Sequence, residues 1–479
     1  MWVCHTFKLW CCYFKTYLTL CVGIFNICVD TPLFIYEKPS CYHFFAEKIH
    51  TKEVIKKIEV ISSKDLTEFH ISLVSEKLRC PYCHGITHLH GFSKPKVINH
   101  PKLTDRKCII VFKNNRYQCN ECLRTFSGKN PFTFSNFKNS FLSMNNIMKS
   151  LSNLNYTYSM VAELNHISVT QVQRYFDSFV NIPKIRLPES IGIDEIHSKM
   201  AKRADSAYLC VMVDNKNRSL FEILPSRSKS ELRRYFDRIP AEERNCVHYV
   251  TIDMWEPYKD IANTYLKNAI IAVDPFHVVK HLMDCFKRIR LNIMYQAEYN
   301  SNSYYLLKTW KDLIERDVYL DNEPVYNKRF KKKLNKRNLL DMILDVSENL
   351  TLGYRLKEMY LYFNENATEK DCESWFDSIY EAFREAQLPE YNEFVSILQT
   401  WRTEILNSFK RPLDDRKLSN ALSENINGQI RTYLAVSNGV RNFTRFRKRC
   451  LLSLNRKVFY SINDQLKSDK YTTDKKQNN

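Results

Sequence analysis

The chain has 479 residues, 44% of them hydrophobic, and a formal net charge of +19. That length is too great for one hydrophobic core and points to roughly two to four domains. The excess of cations calls for a polyanionic partner, nucleic acid before acidic lipid. Sixteen cysteines in so long a chain do not make a disulfide framework, because they are scattered singly apart from an N-terminal cluster and two pairs.

Six cysteines (Cys4, Cys11, Cys12, Cys21, Cys28, Cys41) fall in the first 41 residues, which differ in character from the rest. Tyr17 to Val29 is a mostly apolar run, shorter than the about 20 residues a membrane span needs. Three readings fit it: a signal-peptide core behind Lys8 and Lys15, a peripheral hydrophobic segment, or translation from upstream of the true start. Residues 1–60 are therefore left unassigned. No later stretch is long and apolar enough to span a bilayer.

Residues 61–132 read as a strand-rich zinc-binding domain. Cys80-Pro81-Tyr82-Cys83 and Cys119-Asn120-Glu121-Cys122 flank expected strands at Cys108–Lys113 and Arg116–Gln118. Two C-x-x-C knuckles supply four thiolates in a tetrahedron, a closed and so structural Zn2+ site. The gap between them is wider than in common zinc ribbons, and His84, His88, His90 and His100 within it could replace a ligand. Residues 133–185 read as helices. Tyr158–Leu164, a break at Asn165–Ile167, an N-cap at Ser168 and a helix Val169–Ser178 with Val169, Val172 and Phe176 inward make a helix-turn-helix pattern. Thr170, Gln171, Gln173 and Arg174 would then face DNA in the major groove.

Pro183–Pro188 reads as a linker. The next segment, 186–290, alternates as strand Ser190–Asp194, hairpin strands Ala207–Val213 and Arg218–Leu224, helix Lys229–Ile239, strand Cys246–Asp253, helix Pro257–Lys267, strand Ala269–Asp274 and helix Phe276–Arg290. Three hairpin strands followed by helix, strand, helix, strand is the order of a ribonuclease-H-like mixed sheet. Residues 291–415 read as a charged helical insertion without strands, its own core anchored by Trp310, Trp375 and Trp401. Within it Lys328–Arg337, with Lys331 and Lys332, is a candidate phosphate track. Residues 416–460 return to the catalytic core with a helix carrying Glu424, and Arg441–Arg449, with Arg445 and Arg447, mixes cations and aromatics as a DNA-backbone surface does. The tail, 461–479, reads as disordered. The fold class expected is multidomain α/β: a ribonuclease-H-like sheet with a helical insertion, preceded by a zinc knuckle and a helix-turn-helix.

Three acids stand out: Asp194 and Asp253, each expected to end an apolar strand, and Glu424. A strand-end Asp alone is more often a turn or cap residue. Three carboxylates converging in this topology suit two Mg2+ ions, which Mn2+ can replace, with Asp194 bridging and Asp253 and Glu424 holding one ion each. Asp274 and His277 form an auxiliary cluster. Asp274 could also simply cap the helix after it.

The strings Ile193-Asp194-Glu195, Asp253-Met254-Trp255-Glu256-Pro257-Tyr258, Val273-Asp274-Pro275-Phe276-His277-Val278-Val279 and Ser419–Asn427 resemble the DDE transposases of bacterial insertion sequences, most nearly the L-three family (ISL-three). The knuckle with Arg116-Tyr117-Gln118-Cys119 and Thr125-Phe126 is similar as well, and the resemblance runs from about residue 75 to 457. It implies a catalytic triad of Asp194, Asp253 and Glu424, and places Asp274 and His277 in the family's aspartate–histidine string. It implies double-stranded DNA as partner, both terminal inverted repeats and target, with no small-molecule substrate. A dimer or larger assembly on DNA and a cytoplasmic, nucleoid-associated location follow from the same resemblance. Ala421 departs from the family's usual Gly after the Ser-Asn pair. The alternatives are a transposase-derived DNA-binding regulator without strand transfer, and a zinc-containing nuclease of the same fold.

Overall fold

A computed structural model describes residues 54–103, 106–199, 207–413, 416–437 and 440–462. The apolar run at 17–29 and most of the expected disordered tail lie outside the described residues. Among the described residues no helix is long and apolar enough to cross a membrane. The chain divides into two compact units, one holding 54–151, 158–179 and 461–462, the other 152–157 and 180–460.

Among the described residues the first unit contains two sheets and three helices. Strands β1 (Ile55–Ser62), β2 (Leu66–Leu73), β4 (Lys96–Leu103) and β5 (Arg106–Phe112) form a sheet in the order β1-β2-β5-β4. β1 begins inside the stretch left unassigned from sequence, because Ile55 and Ile58 bury against Phe69, Ile71 and Ile110. Strands β3 (Thr87–Phe92), β6 (Asn115–Cys119) and β7 (Thr125–Ser127) form a second, antiparallel sheet. The gap between the cysteine pairs is wide because the chain leaves β3, builds β4 and β5 in the other sheet, and returns as β6.

Helices α1 (Phe141–Leu151), α2 (Tyr158–Leu164) and α3 (Val169–Phe179) follow. The break between α2 and α3 turns through His166 at φ 50°. Ser168 Oγ accepts the Gln171 backbone N–H at 3.2 Å, the cap expected from sequence. α3 buries Val172, Tyr175, Phe176 and Phe179. Val169, expected inward, is 37% exposed: as the first helical residue it precedes the turn that meets α2.

The second unit is built on a five-stranded mixed sheet of β8 (Ser190–His197), β9 (Tyr208–Asp214), β10 (Ser219–Leu224), β11 (Tyr249–Ile252) and β12 (Ile270–Val273), in the order β10-β9-β8-β11-β12. β8, β9 and β10 pair antiparallel, and β8-β11-β12 pair parallel. This is consistent with the ribonuclease-H-like arrangement. Helices α4 (Lys229–Asp237), α5 (Ala241–Arg244), α6 (Glu256–Tyr265) and α7 (Pro275–Gln296) connect and cover it.

The insertion continues as α8 (Asn302–Thr309), α9 (Asp312–Glu315), α10 (Lys336–Leu344), α11 (Glu348–Asn366), α12 (Cys372–Glu385), α13 (Asn392–Thr400) and α14 (Arg402–Asn407). Among the described residues it forms no separate core. Its apolar side chains join those of the sheet in one cluster running from Ile191 and Val250 to Phe363 and Phe409. Trp401 is buried in that cluster, while Trp310 and Trp375 pack on its margin. α14 covers the outer edge of the sheet, where Asn407 donates to the Ile271 carbonyl of β12 at 2.8 Å. The insertion also holds a short ribbon, β13 (Val325–Asn327) paired with β14 (Lys332–Leu334), where no strand was expected. The chain ends with α15 (Ala421–Val436), which packs on β8 and β9, and α16 (Phe443–Leu454), which packs on β10.

Candidate active site and metal centres

β8 carries the first acid. Asp194 is not at its end: the strand runs on through His197, paired only with β9. On the other side β11 pairs with β8 only as far as Gly192. The Glu189 carbonyl accepts from Tyr249 on the β11 side, so by strand alternation the Ile193 and Glu195 carbonyls face that side too. With no strand to meet them they are capped from α15: Asn420 Nδ2 donates to Ile193 O at 3.0 Å and Asn427 Nδ2 approaches Glu195 O at 3.4 Å. Asn427 Nδ2 also donates to Asp194 Oδ2 at 2.7 Å. The two asparagines lie seven residues apart, two turns on one helix face, and Glu424 is one turn from Asn427 on that face.

Gly192 makes the docking possible. A Cβ there would sit 2.7 Å from Val213 Cγ2 and 2.9 Å from Ser423 Oγ, so only glycine lets α15 lie this close to the strand. Asp253 follows β11 directly, and Asp274 follows β12 at the N-cap position of α7. Asp274 makes no side-chain capping hydrogen bond of ordinary geometry there, though the Asn420 and Phe276 backbone N–H groups lie near enough to its carboxyl to favour the charged form.

These residues form two groups. Oxygens of Asp194, Glu195 and Asp253 lie within 4.8 Å of one another, as do ligand atoms of Asp274, His277 and Glu424. Asp194 also feels the charges of His277 and Arg431, and its own charge acts on Glu424. Burial, reinforced by the neighbouring Glu195 and Asp194 carboxylates, pushes Asp253 up to about 8. Burial raises Asp194 and Asp274 as well. It also raises Glu424, helped by the charges of Asp274 and Asp194. Burial lowers His277. Asp253 Oδ1, Asp274 Oδ2 and Glu195 Oε2 are buried and have no hydrogen-bond partner. Hard carboxylate oxygens crowded together without donors suit a divalent cation such as Mg2+. Of the residues singled out from sequence, the structure brings Asp194 and Asp253 into one group and Glu424, Asp274 and His277 into the other. Sequence reasoning passed over Gly192, Asn420, Asn427 and Glu195, whose only signal was their place in the same strings.

The second centre lies in the other unit. Cys80 and Cys83 precede β3, Cys119 ends β6, and Cys122 follows. Their four sulfurs lie within 4.8 Å of one another, with Cys80–Cys122 at 3.6 Å and Cys83–Cys119 at 3.4 Å. Tetrahedral zinc with bonds near 2.3 Å spaces its sulfurs about 3.8 Å apart, far beyond a disulfide's ~2.05 Å. Each pair is followed by a residue with positive φ, His84 at 60° and Leu123 at 59°. In each, a backbone N–H points at the first sulfur, Tyr82 to Cys80 and Glu121 to Cys119, both at 3.4 Å. The donor set fits zinc. Two of the nearby histidines have other partners: His88 pairs with Asn120 Oδ1 at 2.6 Å, and His100 is buried against Ser140.

Of the residues expected to meet DNA, Thr170 and Arg174 are exposed on α3, and Gln171 and Gln173 half-buried. Lys331 and Lys332 are exposed on the β13–β14 ribbon. Within the same basic run Arg329 is spent on the body of the insertion, bonded to Asn300 and Asn302, and Arg337 on Asp321. Arg445 is half-buried at the start of α16. Arg447 corrects the sequence reading, since its fork grips both oxygens of Glu222 on β10. Arg449 in the same run is wholly buried, donating to the Asn153 and Tyr156 carbonyls. Residues 441–449 are thus partly an anchor for α16, because its inward face lies on the sheet.

A mixed sheet whose strands and last helix bring acids into two neighbouring groups presents carboxylates of a kind that suits metal-dependent chemistry. The model of the ISL3 transposase family, described simply as a transposase, matches residues 191–450, more than half of the chain. The chain belongs to that family. It is similar to the transposase of insertion sequence element IS1557 from Mycobacterium tuberculosis, 33% identical over 107 residues, 22% of each chain. It is also similar to the transposase of insertion sequence element IS1001 from Bordetella parapertussis, 24% identical over 261 residues, 53% of this chain and 58% of that one. These matches span less than two thirds of either relative's length.

Proposed function

We propose that the protein is the transposase of a bacterial insertion sequence, binding the element's terminal inverted repeats and carrying out Mg2+-dependent strand cleavage and strand transfer at Asp194, Asp253 and Glu424. The observation that carries this reading is a pair of acidic groups that feel each other's charge, Asp194/Glu195/Asp253 and Asp274/His277/Glu424, with buried carboxylate oxygens among them that have no donor. Bound divalent ions would there activate the attacking oxygen and neutralise the leaving one.

The protein's own part is to hold the carboxylates in place. Asp194 accepts from the Glu195 backbone N–H at 2.7 Å and from Asn427, one donor per oxygen, which fixes its rotamer and leaves lone pairs on both oxygens. Glu424, on the first turn of α15, is fixed through Asn420 and Asn427 on the same helix. Burial favours the neutral form of His277, which can then accept or donate one hydrogen bond at a phosphate oxygen or attacking hydroxyl. Cleavage by water and joining by the freed 3′ hydroxyl are the same phosphoryl transfer with a different attacking oxygen, so one constellation serves both. Thr170, Gln171, Gln173 and Arg174 on α3 would read the terminal repeat, with the Cys80/Cys83/Cys119/Cys122 centre as structural support. Lys331, Lys332 and Arg445 would contact phosphates. Two ends must be joined, so a dimer or larger assembly on DNA is part of this reading.

The test is cleavage of a plasmid carrying the DNA that flanks the gene, with Mg2+, by the wild type and by Glu424→Gln. Nicks at the element ends that vanish in the variant are expected. Specific binding without cleavage by either protein points to a regulator, and cleavage unchanged in the variant removes Glu424 from the site.

A further inference from the structure

The strand that presents Asp194 presents a second acid immediately after it. Neighbouring residues of a strand point to opposite faces. Gly192 and Asp194 share the face that α15 covers, while Ile191, Ile193 and Glu195 share the other, where Ile191 and Ile193 are buried in the main core. Glu195 would ordinarily be a poor residue for that face. The structure accommodates it because β11 stops short: beyond Gly192 no strand pairs with the β11 side of β8, and Asp253, just past the end of β11, comes near side chains from both faces. An oxygen of each of Asp194, Glu195 and Asp253 comes within 4.8 Å of the others.

We infer that Glu195 is a further carboxylate ligand of the cation held by Asp194 and Asp253, and that Arg227 is the positioning residue that aims it. This rests on the metal-dependent reading above and adds a residue to it. The independent observation is Asp253 itself: it is 8% exposed, and its Oδ1 has no hydrogen-bond partner. Glu195 Oε2 is likewise buried and without a donor. Buried carboxylate oxygens without donors, on residues whose carboxylates approach within 4.8 Å, call for a cation among them.

Arg227 accounts for the other oxygen. Its Nη1 donates to Glu195 Oε1 alone, not as a two-pronged fork, and so leaves Oε2 to the cluster. Its guanidinium lies over the ring of Tyr208, 4.3 Å from the centroid, and over that of Trp255, 4.6 Å from the centroid, and both contacts favour this placement. Trp255 is two residues beyond Asp253, so one aromatic side chain steadies both the turn that bears Asp253 and the arginine that orients Glu195. A glutamate serving only as an ion-pair partner for Arg227 would gain by offering both oxygens and by standing away from other acids. Glu195 does neither.

The experiment is a Mn2+ titration of the full-length, zinc-loaded protein, followed by electron paramagnetic resonance without DNA, together with the rise in Tm on adding Mg2+. Glu195→Gln is expected to weaken Mn2+ binding about 10-fold or more and to shrink the Mg2+-induced rise in Tm. Arg227→Met should weaken it less, and Arg227→Lys should restore part of the loss. Where Glu195→Gln reduces the folded fraction, Glu195→Asp, which keeps a charge towards Arg227, is expected to show the same weakening. Wild-type and Glu195→Gln proteins that bind Mn2+ equally, with Tm lowered as in Arg227→Met, would make Glu195 a plain ion-pair partner and overturn the inference while the catalytic reading stands. A folded wild type that neither binds Mn2+ nor cleaves the flanking DNA overturns both.

Discussion

The two candidate metal centres are held together in opposite ways. The four cysteines sit on two short turns of one small sheet, so each pair is preset by its own C-x-x-C geometry and only the meeting of the pairs is left to the fold. The acids come from β8, the ends of β11 and β12, and a helix more than 200 residues along the chain, and no two elements suffice. The first centre can be lost by removing one ligand, and its sheet with it. The second can lose a ligand and keep its fold, because the surrounding core does not depend on the acids. Buried acids without donors in fact cost the metal-free fold stability.

The largest expected effect follows from the first half of that contrast. Cys119→Ser should abolish zinc binding, read as metal content, and raise amide exchange across Thr87–Phe92 and Asn115–Ser127 to near the unfolded level. Structural zinc in small domains contributes on the order of 10 kcal/mol. At the acidic centre the signs separate: Asp253→Asn should cut end cleavage more than about 100-fold, beyond the usual cost of an outer residue. It should leave the metal-free Tm unchanged or higher, since a buried carboxylate without a donor is removed. A fall in Tm of several degrees would show that Asp253 supports the fold.

Gly192→Ala tests the joint between strand and helix. The added Cβ would push against Val213 and Ser423, at a cost of roughly 1–3 kcal/mol, and cleavage should fall because Glu424 moves with α15. The pH dependence is smaller and has a definite sign. Asp253 is raised in the folded protein, so the metal-free protein binds more protons folded than unfolded. This contribution is full below about pH 4 and is lost as pH rises through about 8. The metal-free Tm should fall across that window, Mg2+ should offset more of the fall at higher pH, and Asp253→Asn should flatten it. The smallest effect belongs to the ribbon: Lys331→Ala with Lys332→Ala should lower the salt dependence of DNA binding by a slope of about one per lysine, with cleavage at low salt nearly unchanged.

Much of this was legible along the chain. Strand alternation and turn residues marked the five strands of the second unit to within a few residues, and the apolar runs before Asp253 and Asp274 identified strand ends, while β8 runs on past Asp194. The cysteine spacing marked the other centre. What was not legible depends on what the chain meets. Arg447 reads like any cation in a basic run until Glu222 is found opposite it. Trp310 and Trp375 read as anchors of a separate core until the insertion is seen to share the core of the sheet. The ribbon at 325–334 has strands of three residues each, too short for alternation to mark them.

The sequence by itself determined the local states: which segments alternate as strands, which cap as helices, where four thiols pair into knuckles, and which acids stand at the ends of apolar runs. These follow from interactions within a few residues, which the order of residues states directly. Only the tertiary structure decided that β11 ends short of β8, that Asn420 and Asn427 fill the vacancy, that Gly192 lets α15 come so close, and that Glu195 turns to the same point as Asp194 from the other face. Each of these is a contact between segments distant in sequence. Its energy depends on distance and on the exclusion of water, and neither exists until the chain has folded.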